Sequence, residues 1–125
     1  MKVVLVAEDH PVVRIGLVAL LETIGVFTVV AVDDGKRALD YLKRAYADGT
    51  KVLLITDWDM PEMTGIELVR AIRADAQLAK TPVIMTSNRE PEEIAFALSQ
   101  GADSFIDKPA PYDELESLVH RYLES

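Results

Sequence analysis

Short runs of β-branched and aliphatic residues alternate along this chain with longer stretches in which apolar residues recur at helical spacing. That alternation constrains the fold more than any other feature. Parallel strands cannot be joined by a tight turn and need a crossover, usually a helix, so the pattern points to a parallel sheet built from βα units. Five units are expected, with strands at Lys2 to Ala7, Phe27 to Val32, Val52 to Thr56, Val83 to Ser87 and Ser104 to Asp107. The first, third and fourth are apolar almost throughout, as strands buried on both faces are. Helices must therefore cover both faces of the sheet.

The helical stretches supply the covering surfaces. Val13, Leu17, Leu20 and Ile24 repeat at helical spacing, as do Leu68 with Ile72, Ile94 with Leu98, and Leu115 with Val119 and Tyr122. Each set predicts one buried stripe. Pro11, Pro91 and Pro111 sit where a first helical turn tolerates a missing N–H, and Thr64 with Glu67 has the spacing of a capping box. Gly25, Gly49 and Gly101 mark the expected stops. The fold class expected is α/β: one domain over residues 1–125, doubly wound around a five-stranded parallel sheet in the flavodoxin-like order 2-1-3-4-5.

Composition narrows the function. A chain of 125 residues suits a single core, and with 50% hydrophobic residues it has enough apolar surface to offset the entropy of ordering. The formal net charge of -8 opposes binding to a phosphate backbone, so no nucleic-acid partner is expected. There is no cysteine, which excludes disulfides and thiolate metal sites and suits a reducing compartment. Apolar runs such as Val3 to Ala7 fall far short of the roughly 20 residues needed to span a bilayer. Glu8, Asp9 and His10 interrupt what a signal peptide would keep apolar. These features predict a cytoplasmic location and no membrane partner.

In an open parallel sheet the functional crevice lies at the carboxyl ends of the strands, and here those ends are polar. The first strand runs into Glu8 and Asp9, the third into Asp57 with Asp59 beyond it, the fourth into Ser87, and the fifth into Lys108 and Pro109. An Asp after a strand is ordinarily a turn or capping residue. Asp57, however, is separated from the helix start at Thr64 by Asp59, Pro61 and Glu62, so capping does not account for it. Two carboxylates about 4 Å apart repel by about 4 kcal/mol at an effective dielectric near 20, so the cluster needs a cation or raised pKa values. All-oxygen donors favour magnesium, calcium or manganese, and few carboxylates completed by water or phosphate is magnesium's usual arrangement. Lys108 and Ser87 add an ammonium and a hydroxyl that can orient phosphoryl oxygens. His10 and His120 lie on different elements without metal-ligand spacing and read as structural or surface residues. Trp58 is expected to shield the rim of the site, and Phe96, opposite the Ile94 and Leu98 stripe, to face water.

Four ordered motifs carry a resemblance that spans essentially the whole chain: Glu8-Asp9, Asp57-Trp-Asp-Met-Pro-Glu-Met-Thr-Gly65, Pro82-Val-Ile-Met-Thr-Ser87, and Gly101-Ala-Asp-Ser-Phe-Ile-Asp-Lys-Pro109. Together they resemble the receiver domain of bacterial response regulators. The resemblance implies a signalling domain rather than an enzyme, with Asp57 as phosphoacceptor and self-catalysed phosphorylation and dephosphorylation. It implies magnesium, replaceable by manganese, bound directly by Asp9 and Asp57, through the backbone carbonyl of Asp59, and by Glu8 through water. Ser87 is then the switch hydroxyl, Lys108 the phosphoryl-binding ammonium, Phe105 the aromatic switch, and the Lys108-Pro109 bond cis. The implied partners are a sensor histidine kinase or phosphotransfer protein and, through the fourth helix, fifth strand and fifth helix, a downstream protein or a second copy. Asn88 stands where the family usually has Ala or Gly, and Ala110 where Phe is frequent.

Three other readings share parts of this pattern. Haloacid-dehalogenase-type phosphatases use an Asp-x-Asp after an apolar strand, as Asp57 and Asp59 offer, but place it on the first strand. A Toprim-type nucleic-acid enzyme pairs a Glu with a later Asp-x-Asp, yet leaves Ser87 and Lys108-Pro109 unexplained. A flavin-binding protein of this fold needs hydroxyls and amides in its first loop, where this chain has Glu8 and Asp9.

Overall fold

A computed structural model describes residues 1–124. The strands are β1 (Lys2–Ala7), β2 (Thr28–Val32), β3 (Lys51–Asp57), β4 (Val83–Thr86) and β5 (Ser104–Ile106). The helices are α1 (Pro11–Glu22), α2 (Gly35–Ala47), α3 (Gly65–Ala74), α4 (Pro91–Ser99) and α5 (Tyr112–Leu123). The sheet has the order β2-β1-β3-β4-β5, as expected, and every pairing is parallel.

Register decides what the strands present at their ends. Ala7 pairs with Val32 and Thr56, Asp57 with Thr86, and Thr86 with Ile106. Asp57, the last residue of β3, and Glu8 and Ser87, just beyond β1 and β4, therefore line up along one edge of the sheet. Side chains alternate across the pleat and feed two cores. Val3, Leu5, Val52, Leu54, Val83 and Met85 pack with residues of α2, α3 and α4, including Leu42, Leu68, Ile72 and Ala97. Val4, Val6, Leu53, Ile55, Ile84 and Ile106 face the other way, onto Leu21 of α1 and Leu115, Val119 and Leu123 of α5. Leu5 and Ile55 are fully buried, and each such side chain contributes about 1.5–3 kcal/mol.

Several local expectations hold. Thr64 and Glu67 form the capping box, with Glu67 N–H donating to Thr64 Oγ1 at 3.2 Å and Thr64 N–H to Glu67 Oε1 at 3.0 Å. Those hydrogen bonds, backbone first, hold the Glu67 carboxyl below its ordinary pKa. Asp34 caps α2 by accepting from the Arg37 amide at 2.7 Å. The Lys108-Pro109 bond is cis.

Two predicted stripes are displaced. On α1, Val13 is 36% exposed, Leu17 and Leu20 are half-buried, and it is Leu21, with Ile24 beyond the helix, that is buried. This helix is apolar nearly all round, so its period has no unique phase. On α4, Leu98 is 43% exposed and Ile94 half-buried, while Ala97 is the residue packed into the core. A small side chain lets the helix backbone approach the sheet, which puts the larger neighbours at its margins. The strand ends also differ: β4 stops at Thr86 rather than Ser87 and β5 at Ile106 rather than Asp107. The Ser87 amide still reaches the Ile106 carbonyl at 3.3 Å, so the pairing frays rather than breaks.

Candidate phosphoacceptor and metal site

Asp57 is the last residue of a strand whose six preceding positions are buried or half-buried, and it is itself 5% exposed. Its Oδ1 accepts from the Trp58 amide at 2.8 Å and lies 3.1 Å from Lys108 Nζ. The same ammonium lies 2.6 Å from Oε1 of Glu8, which is 1% exposed. That oxygen meets Lys108 as an ion pair and accepts no hydrogen bond of good geometry, while Glu8 Oε2 accepts from the His10 amide at 3.1 Å. One cation thus bridges two buried carboxylates.

Protonation follows from this arrangement. Burial, then the charge of Glu8, pushes the Asp57 carboxyl above its ordinary pKa, against the opposing pull of Lys108 and the Trp58 amide. Burial works against the Lys108 charge, but its close contacts to Glu8 and Asp57 outweigh it and raise its pKa. Glu8, Asp9 and Asp57 bring carboxylate oxygens within 4.8 Å of one another. Three carboxylates against one ammonium leave net negative charge in a largely buried site. With an under-satisfied buried oxygen on Glu8 and an all-oxygen donor set, the residues fit a hard divalent cation.

Not every expected residue joins the cluster. The Asp59 side chain is 72% exposed and turns away to pair with Arg89, so three of the four strand-end carboxylates converge. Arg89 also pairs with Glu93 at 3.1 Å and lies over the Trp58 ring, 4.5 Å from its centroid. Burial opposes the Arg89 charge, but Asp59 and then Glu93 raise its pKa on balance. Ser87 is 6% exposed, beside Thr86, the strand partner of Asp57. Phe105 is half-buried and lines a groove of about 390 Å³ with Ile94, Leu98 and Leu118. Phe96 faces outward as expected, yet it is not isolated: its ring lies 6.4 Å from that of Trp58 and 5.8 Å from the Arg70 guanidinium.

Two contributions escaped the sequence. The backbone of His10 holds Glu8, although its side chain is exposed, and Gly65 makes room for the end of β3. A Cβ at Gly65 would fall 2.2 Å from the Asp57 carbonyl oxygen, and one at Gly35 2.3 Å from the Met63 carbonyl oxygen. Backbone donors and close approaches carry no side-chain signature, although the Thr64-Gly65 start of α3 was a visible cue.

Comparison with known proteins gives a consistent result. The sequence profile described as the response regulator receiver domain matches residues 4–120. Two-component response regulator ORR1 of Oryza sativa subsp. japonica is 39% identical over 121 residues, covering 92% of this chain and 52% of that protein. The chain thus spans about half the length of that rice regulator. Chemotaxis protein CheY of Pseudomonas aeruginosa is 34% identical over 122 residues, covering 97% of this chain and 95% of the relative. The solved receiver domain of a sensor histidine kinase from Pseudomonas aeruginosa PAO1 superposes with a TM-score of 0.84 at 26% identity, over 98% of each chain, and has a magnesium ion coordinated in its active-site cleft. Among the described residues no helix is long and apolar enough to cross a membrane. Sheet order, converging strand ends and sequence profile lead to one assignment: the chain belongs to the response regulator receiver domains, the signalling modules of two-component phosphorelays.

Proposed function

We propose that Asp57 accepts a phosphoryl group from the phosphohistidine of a sensor histidine kinase or phosphotransfer protein, in a magnesium-dependent reaction in the cytoplasm. The observation that carries this reading is the Lys108 bridge between buried Glu8 and Asp57, with Asp9 beside them. Asp9, Asp57 and the Asp59 backbone carbonyl would hold the ion, with Glu8 acting through water. Magnesium, or manganese in its place, would offset the acidic cluster and the charge that develops on the phosphoryl oxygens.

The chain's own residues do the rest. An Asp57 carboxylate oxygen bonds to phosphorus as the phosphorus–nitrogen bond breaks, and the bonding pair leaves with the imidazole. Asp57 attacks as the carboxylate, so no base is needed. Lys108, already against Asp57, turns to the phosphoryl oxygens, and the Ser87 hydroxyl donates to another. Water later attacks the same phosphorus, the aspartyl oxygen leaves, and the carboxylate returns. The added charge, about −1.5 to −2, draws Ser87 inward and opens space for Phe105, changing the surface of α4, β5 and α5 that a downstream protein or a second copy reads.

The test is incubation with magnesium and phosphoramidate, followed by intact mass measurement. A gain of one phosphoryl group in the wild type, absent with chelator and in Asp57→Asn, is expected. Labelling that survives Asp57→Asn, or sustained hydrolysis of phosphate esters, would overturn the assignment.

A further inference from the structure

Arg14, in the second turn of α1, directs its guanidinium back over the loop that carries Glu8 and Asp9. Its Nη1 donates to the Glu8 carbonyl at 3.0 Å and approaches the Asp9 carbonyl at 3.4 Å. The position of that loop explains why a donor is needed. β1 ends at Ala7, and although the Glu8 amide still reaches the Val32 carbonyl at 3.1 Å, the Glu8 carbonyl lies beyond the ladder on a residue 1% exposed. A backbone acceptor at such a place needs a partner. The side chain of Glu8 is fixed independently, by Lys108 and by the His10 amide. Asp9 differs: it is exposed, and its carboxylate makes no hydrogen bond or ion pair among the described residues. What aims that carboxylate at the cluster is the path of its backbone.

We infer that Arg14 is a positioning residue for the metal site, holding the Glu8 and Asp9 carbonyls so that the Asp9 carboxylate is prearranged to bind a divalent cation. The inference rests on the proposal that this site takes magnesium. Guanidinium chemistry suits the task, because the charge is permanent and one planar group can serve two carbonyls. Without it, the Asp9 loop loses its tie to α1, and ion binding must then supply the ordering. Partners that orient metal ligands without touching the ion commonly change affinity by about 10–100-fold, and a tie made through the backbone belongs at the lower end.

Trp58, the only tryptophan, donates its amide to Asp57 Oδ1 at 2.8 Å and so reports on the site. Its fluorescence is followed as magnesium chloride is added to the full chain, for wild type, Arg14→Ala, Arg14→Lys and the control Asp9→Asn. Unfolding midpoints are measured in chelator. The expected result is a magnesium Kd weakened about tenfold in Arg14→Ala and partly restored in Arg14→Lys. A Kd within twofold of wild type in Arg14→Ala, with or without a lowered midpoint, would mean that Arg14 serves folding alone and overturns the inference. Should Arg14→Ala fail to fold, Arg14→Lys decides, and a wild-type Kd there has the same meaning. A wild type that gives no magnesium response removes the metal reading itself, and this inference with it.

Discussion

Arg89 rests its guanidinium on the face of Trp58, 4.5 Å from the ring centroid, while pairing at its edges with Asp59 and Glu93. The stack continues through Phe96, whose ring lies 6.4 Å from that of Trp58, to Arg70, which in turn hydrogen-bonds to Gln100 at 2.5 Å. Two cations thus flank a pair of aromatic rings across the surface that joins the loop after Asp57 to α3 and α4.

The Arg89–Asp59 pair, formed by residues two positions beyond Ser87 and Asp57, is expected to slow the water that would hydrolyse an acyl phosphate on Asp57. A largely exposed ion pair contributes about 0–1 kcal/mol, so its loss should accelerate dephosphorylation by no more than about fivefold. Decay of the phosphorylated wild type, Asp59→Ala, Arg89→Ala and the double variant, at fixed magnesium and two salt concentrations, checks this. Non-additive acceleration that shrinks at high salt is expected. Equal decay in all four would refute the obstruction.

Asp57→Asn should abolish labelling and keep the fold, and it should be more stable than the wild type at neutral pH in chelator. Because the folded-state pKa of Asp57 is raised, its contribution is fully present below the unfolded value and is lost as pH rises through the folded one. The stability gap between Asn variant and wild type should therefore open as pH climbs above about 4, the ordinary Asp value, and shrink when magnesium is added. Urea unfolding at a series of pH values measures it, and a gap independent of pH would contradict the assignment of the strain to Asp57.

Lys108→Ala leaves the buried Glu8 carboxylate without its cation. Breaking a fully buried pair costs about 3–5 kcal/mol, and the partial exposure of Lys108 reduces this to about 1–2 kcal/mol. Adding Glu8→Gln should recover most of the loss in chelator. If the double variant is no more stable than Lys108→Ala alone, the bridge is not what holds Glu8 in place.

Phosphorylation should alter amide protection in Glu92 to Phe105 and Tyr112 to Tyr122, the segments that flank the groove lined by Ile94, Phe105 and Leu118. Hydrogen exchange confined to α1 would place the output surface elsewhere.

Much of this architecture is legible in the sequence because its strongest signals are local. The all-apolar strands, the Thr64 cap and the polar residues after each strand depend on chain neighbours, and register then brings Glu8, Asp57 and Lys108 together. The helix faces are less legible. In α1 almost every side could be buried, and in α4 the buried Ala97 is outweighed in any hydropathy pattern by Phe96 and Leu98. α2 is the contrasting case, with Ala38, Leu42 and Ala45 forming a well-segregated buried face among charged residues. Even the partner of Asp59 is legible: Asp59 and Arg89 each lie two residues beyond a strand-end residue, Asp57 and Ser87, and carry opposite charge, and they pair although thirty residues apart in sequence.

The loop from Asp57 to Gly65 is wedged at both flanks: the Asp57 carbonyl lies against Gly65, and the Met63 carbonyl against Gly35, with no room for a methyl group at either glycine. Such contacts are backbone on backbone and do not yield as a side chain can. Charge placed on Asp57 therefore cannot be relieved by moving that loop toward α2 or the start of α3. The opposite wall, from Ser87 through Glu90 to α4, is held by ion pairs and half-exposed rings that can re-form elsewhere. On the proposed phosphorylation of Asp57, unequal compliance would give the response its direction: one side of that residue is stiff, so displacement would travel toward the other.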